Sequence, residues 1–175
     1  MLATVDAMTG PDVSRLSPAD ASTALRSLAR RIASLCAAGI DDDVEELAAR
    51  LGPEGESAHD LLVDATSTLM LLGRALAQVL VHDDSVLHPA VTDPSHRRWD
   101  PPTHLSVADL VELLSDEATT VADQIDAVPT FDWDRTGRVA DREDVSAIDI
   151  AREAVRTMSV DRTAVERALS SARAQ

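Results

Sequence analysis

The side chains able to hold a metal, move a proton or attack a carbonyl are few in this chain, and their spacing favours none of these. Five histidines are present: His59, His82, His88, His96 and His104. His59 falls in the first turn of a predicted helix, and the others fall at a helix end or in a proline-rich stretch. His88 and His96 could meet within that stretch, but no ligand-spacing rule joins them. Cys36 is the single cysteine, which excludes an internal disulfide and a cysteine-rich zinc site. Beside Leu35 on an apolar helix face, it reads as a small buried side chain rather than a nucleophile. There is no Ser-His-Asp constellation and no glycine-rich phosphate loop. Acids make up 31 of the 175 residues, too many for any one pair of carboxylates to stand out.

The elements that position these groups follow from composition. Apolar residues are 45% of the chain, yet only Trp99, Phe131 and Trp133 are aromatic. Leucine, valine, isoleucine and alanine must therefore fill the core, and the abundance of alanine and leucine favours helix. A length of 175 residues suits one domain with a real core. All sixteen basic residues are arginine, a skew that points to a GC-rich genome and carries no mechanism. The net charge of −15 disfavours nucleic acid and anionic membrane surfaces as partners. No segment reaches the roughly 18 uninterrupted apolar residues of a membrane span. Asp6 and the lack of an early basic region argue against a signal peptide, so a cytoplasmic protein is expected.

Four times a Ser-x-x-Asp precedes an apolar run of helical period: Ser17/Asp20, Ser57/Asp60, Ser106/Asp109 and Ser146/Asp149. The serine oxygen can accept from the free N–H groups of a first helical turn, and the aspartate complements the helix dipole. These signals predict helices over about 18–38 (with Gly39 as its stop), 58–82, 107–127 and 147–172. Their stripes are Leu25, Leu28, Ile32 and Leu35; Leu62, Ala65, Leu69, Leu72, Leu76 and Val79; Leu110, Leu114, Ala118, Val121 and Ile125; and Ile148, Ala151, Val155, Met158, Val165 and Leu169. Residues 41–51 predict a short helix closed by Gly52-Pro53, and 83–105 a long crossover loop holding four prolines. The expected fold is all-α: a four-helix bundle over residues 17–173 behind a frayed tail of residues 1–16.

The run Trp133-Asp134-Arg135-Thr136-Gly137-Arg138, with Asp141, Val145, Ser146 and Ala151-Arg152 in ungapped register, resembles the lead into the last helix of the DinB/YfiT-like bundle proteins, in their actinobacterial branch. Asp83-Asp84 and Trp99-Asp100 are weaker echoes. The glycine usual after the Asp141 position is Arg142 here. The resemblance covers about residues 57–169 and implies a DinB/YfiT-like four-helix bundle. Such proteins hold a divalent metal with three histidines, one on the second helix and two on the last. Several are mycothiol or bacillithiol transferases, and some are mycothiol-dependent isomerases.

In that register the helix-two position falls on Asp64, and the last-helix positions on Arg156 and on Val160 or Asp161. A guanidinium stays protonated and offers no lone pair, so Arg156 cannot ligate a metal. It can stand in for the metal's charge, which predicts a partly buried Asp64–Arg156 pair with Asp161 nearby. Arg135 and Arg138 could bind an anion or pair with Asp132, Asp134 and Asp141, and Trp133 is expected to pack its loop on the bundle. No metal and no cofactor are expected. The resemblance with its histidines missing implies a non-catalytic protein that binds a small molecule or a partner. The alternative is a transferase or isomerase working with a mycothiol-like thiol. A homodimer through residual exposed leucines such as Leu61, Leu71 or Leu80 is a further expectation.

Overall fold

A computed structural model describes residues 10–37, 44–82, 84–97, 105–139 and 144–174. Its helices are α1 (Pro18–Ala37), α2 (Val44–Ala49), α3 (Ala58–Val81), α4 (Val107–Ala127) and α5 (Ala147–Arg173), with strands β1 (Ser85–Leu87), β2 (Thr136–Val139) and β3 (Asp144–Ser146). Each of the four long helices starts behind one of the Ser-x-x-Asp pairs. The aspartate N–H donates to the serine Oγ at 3.2, 3.1, 3.1 and 3.3 Å for Ser17, Ser57, Ser106 and Ser146. At α4 the bond is reciprocal, because the Ser106 N–H also donates to the Asp109 carboxylate.

The stripes face one shared core. Leu25, Ile32, Leu62, Leu69, Leu72, Leu76, Leu110, Leu114, Ile125, Met158 and Leu169 are fully buried, each worth about 1.5–3 kcal/mol of transfer free energy. On α5 the first turn departs from expectation: Ile150 is buried and Ile148 only half-buried. α1 packs on α4 and α5, and α3 packs on α4 and α5, so α1 lies diagonal to α3.

Contacts at the helix ends give the directions. Arg26 in the first half of α1 pairs with Asp126 at the end of α4, and Cys36 near the end of α1 lines one groove with Val107 at the start of α4, so these two run antiparallel. Arg152 donates to the Leu16 carbonyl and Arg173 to that of Leu35, so α1 and α5 run parallel. His59 in the first turn of α3 bonds the Leu105 carbonyl just before α4, and Arg135 just beyond α4 donates to the Val79 carbonyl in the last turn of α3. Thus α3 and α4 are parallel.

The strands correct the all-α expectation: the protein is mostly helical but carries a small mixed sheet, ordered β1-β2-β3. β1 pairs with β2 in parallel, Val86 opposite Arg138, and β2 pairs with β3 antiparallel, Gly137 opposite Val145. Residues 83–105, expected as loop alone, therefore contain a strand and two 3-10 turns (Pro89–Val91 and Pro94–His96). Gly137 sits where a Cβ would lie 2.8 Å from both Leu87 Cδ1 and Val79 Cγ2, so only glycine lets β2 approach so closely. Trp133 is 9% exposed and belongs to the core. The Trp133–Arg138 run thus fastens the sheet to the end of α3.

Residues 10–16, expected to fray, lie along α5: Val13 and Leu16 pack against the core, and the Leu16 carbonyl accepts from Arg152 at 3.1 Å. Leu61, Leu71 and Leu80 are not the exposed patch expected of a dimer face; all three are half-buried against the core. Among the described residues, the exposed large apolar ones are instead Leu51, Val81, Val86, Leu113 and Phe131. Among the described residues, no helix is long and apolar enough to cross a membrane. Gly39, Asp83, Trp99-Asp100, His104, Asp141 and Arg142 lie outside the described residues.

Candidate functional site

On α5, Arg156, Thr157 and Asp161 follow Glu153 by three, four and eight residues, which places them along one side of the helix. Arg97 reaches this side from the crossover segment. Asp93 caps the 3-10 turn before it by accepting from the Ser95 N–H, and Arg97 itself donates through Nε to the Ala90 carbonyl at 2.9 Å. That leaves its Nη2 on Glu153 Oε1 at 2.9 Å and its Nη1 on Thr157 Oγ1 at 3.4 Å. The Arg97 side chain is only 9% exposed.

Arg156 uses the same carboxylate. Its Nε donates to Glu153 Oε2 at 2.7 Å and its Nη2 to Oε1 at 2.6 Å. One glutamate therefore carries two guanidiniums. Burial would raise the Glu153 carboxyl, but the hydrogen bonds from Arg156 and Arg97 outweigh it and hold the group below the usual glutamate value. The Arg156 guanidinium is pushed above its ordinary value, chiefly by the Glu153 bond.

Asp161, two turns beyond Glu153, has an Oδ2 that is sealed from solvent and without a hydrogen-bond partner. Burial is the main reason its carboxyl rises from 3.8 to about 7. Arg97 and Arg156 pull it down, and the charges of Asp64 and Glu153 push it up.

The expected Asp64–Arg156 ion pair does not form. Asp64 is exposed on α3, and its carboxyl is raised by partial desolvation and by the neighbouring charges of Glu56 and Asp60. Arg156 finds a nearer acid one turn back on its own helix, where both side chains already share a face, and no cross-helix reach is needed. Asp64, Arg156 and Asp161 are brought within electrostatic range of one another, as Asp161 registers both charges.

Trp133, Arg135 and Arg138 stand apart from this cluster, at the sheet. Trp133 packs in the core, Arg135 holds the Val79 carbonyl, and Arg138 is exposed on β2. Glu153, Arg97 and Thr157 had not been singled out in the sequence. An acid three residues before Arg156 was the one available signal, and Arg97 gave none.

Arg156 forms a wall between two grooves. One, of about 550 Å³, lies between residues 10–14 and α5 and is lined by Pro11, Val13, Arg152, Glu153 and Arg156 among others. The other, of about 450 Å³, is bounded by Val91, Val145, Ile150 and Glu153. Both volumes suit a small molecule. A third groove, apolar and about 310 Å³, runs past Cys36, Val44, Val107 and Val111. Burial raises the Cys36 thiol there to about 11, so it is no thiolate at neutral pH.

Among the described residues, no group of three or more histidine, cysteine or acidic side chains is placed to hold a metal ion. The cluster at α5 has two fixed cations, one fixed anion and one carboxyl of near-neutral titration. It is equipped to hold an anion. Comparison with protein-family models, with curated proteins and with solved structures gives no match for this chain.

Proposed function

We propose that this chain is a DinB/YfiT-like four-helix-bundle protein without the family's metal site, and that it binds a small molecule at the Arg156 wall without catalysing a reaction. Four long helices around one core, joined by one long crossover, support the bundle reading. The observation that carries the functional reading is the Glu153 carboxylate shared by Arg97 and Arg156. It holds a guanidinium, 34% exposed, in the wall of two molecule-sized grooves, at the height where the family register places a ligand to the metal.

Metal analysis of the purified protein, followed by a thermal-shift screen of low-molecular-weight thiols, carboxylates and amines, tests this reading. The expected outcome is no stoichiometric zinc or nickel and a raised melting temperature with at least one class. Stoichiometric metal would overturn it. The thiol-dependent transferase alternative rests on Asp161, whose near-neutral carboxyl could move a proton at neutral pH. Turnover of a mycothiol-like thiol with an electrophilic acceptor, lost in Asp161→Asn, would favour that alternative.

A further inference from the structure

The hydrogen-bonding edges of Arg156 are unequally used. A guanidinium presents a side edge, Nε with Nη2, and an end edge, Nη1 with Nη2, and each can take a carboxylate in bidentate fashion. Glu153 occupies the side edge. Nη1 makes no hydrogen bond with a described residue, so among the described residues nothing occupies the end edge. Its position is marked by Gly10: a Cβ there would lie 3.7 Å from Arg156 Nη1, 3.1 Å from its Cγ and 3.0 Å from Val160 Cγ2. The glycine lets residues 10–14 pass close over α5, and the end edge lies beside that segment, in the larger of the two grooves.

The acids of this groove are engaged. Asp12 accepts from the Ser14 N–H at 2.9 Å. Asp149 holds Ser146 Oγ at 2.6 Å and faces Arg152 at 3.6 Å. Arg152 also donates to the Leu16 carbonyl, and Glu153 has its two arginines. Arg156 keeps its end edge, and Arg152, hydrogen-bonded among the described residues only through Nε, keeps its Nη donors. Around them, Pro11 and Val13 supply apolar wall and Ser14 a hydroxyl.

We infer that the groove between residues 10–14 and α5 takes a small monocarboxylate with an apolar body, seated end-on against Arg156 with that body on Pro11 and Val13. This rests on the small-molecule reading above and adds the ligand's class and its position.

Calorimetric titration of the full chain with benzoate tests it. Benzylamine serves as a cation of similar body, and inorganic phosphate as an anion without one. Benzoate is expected to bind at least tenfold more tightly than either. Arg156→Gln should weaken it roughly 10–100-fold, the range for losing charge-assisted hydrogen bonds. Val13→Trp puts an indole into the groove, and in folded protein it should weaken benzoate tenfold or more. Equal binding of benzylamine, or wild-type affinity in folded Val13→Trp, overturns the inference. If benzoate fails but a thiol or amine binds and Val13→Trp abolishes that binding, the class is wrong and the binding reading stands. If nothing in the panel binds, both fall.

Discussion

Arg156 lays the Nε–Nη2 edge of its guanidinium on the Glu153 carboxylate one turn back along α5, at 2.7 and 2.6 Å, while Asp64 on α3 stays exposed. A metal site needs ligands that converge from different helices. Here the charge at that height is closed off locally, within one helix, and only Arg97 arrives from elsewhere. The cluster therefore ties the crossover segment to α5 rather than α3 to α5.

Glu153→Gln is expected to destabilise the fold by roughly 2–4 kcal/mol in urea denaturation, since it strips the anion from a nearly buried Arg97. The partial exposure of Arg156 keeps its share small. Double-mutant cycles should give a larger coupling for Arg97–Glu153 than for Arg156–Glu153, and equal couplings would contradict this division.

Asp161 sets a pH dependence of opposite sign to the usual carboxylate. Its folded-state value, about 7, lies above the unfolded 3.8, so the native protein holds this proton where the unfolded chain has lost it. Stability from this group is full below pH 4, falls as pH rises toward 7, and is flat above. Glu153 and Asp109 are lowered and act the other way, but their loss lies in more acidic solution. Between pH 5 and 8 the melting temperature should therefore fall. Asp161→Asn keeps the shape without the charge, so it should flatten that profile and stabilise the protein at pH 8 by roughly 2–4 kcal/mol. An unchanged slope in the variant would remove Asp161 from the account.

How far these features were legible depends on their range in sequence. The helices were readable because cap and stripe are local: Ser106, Asp109, Leu110 and Leu114 lie within nine residues, and each is placed as expected. The sheet was not, since β1 is three residues long and its partner Gly137 comes some fifty residues later. No periodicity survives in so short a strand. At the candidate site, Arg156 and Asp161 were singled out, but Glu153 and Arg97 were not. Glu153 three residues before Arg156 looks like any surface pair on a helix. Only the arrival of Arg97, from a proline-rich stretch with no period, makes that pair a half-buried cluster.

Cys36 is expected to be inert in the native state. Its thiol is raised to about 11 by burial and is 7% exposed as a residue. Reaction with an aromatic disulfide reagent at pH 8 should proceed only on unfolding, with a rate that follows added urea. Prompt labelling in the absence of denaturant would show that the groove lined by Cys36, Val44 and Val107 opens in solution.

Gly137→Ala tests whether the Trp133–Arg138 run is a structural fastener. The added methyl would meet Leu87 and Val79 at 2.8 Å, and neither is a flexible, solvent-facing side chain: both are buried. Overpacking of this kind costs about 1–3 kcal/mol. β2 is also the middle strand, so displacing it loosens β1 and β3 together, along with the Arg135 bond to the Val79 carbonyl. Hydrogen exchange should then speed up at β1, β3 and the last turn of α3 while α1 and α4 keep their protection. Arg97 and the Arg156 wall are built on the 3-10 turns and α5, not on the sheet. Benzoate affinity in Gly137→Ala should accordingly stay within about threefold of wild type. A tenfold loss would mean that the sheet helps to shape the groove.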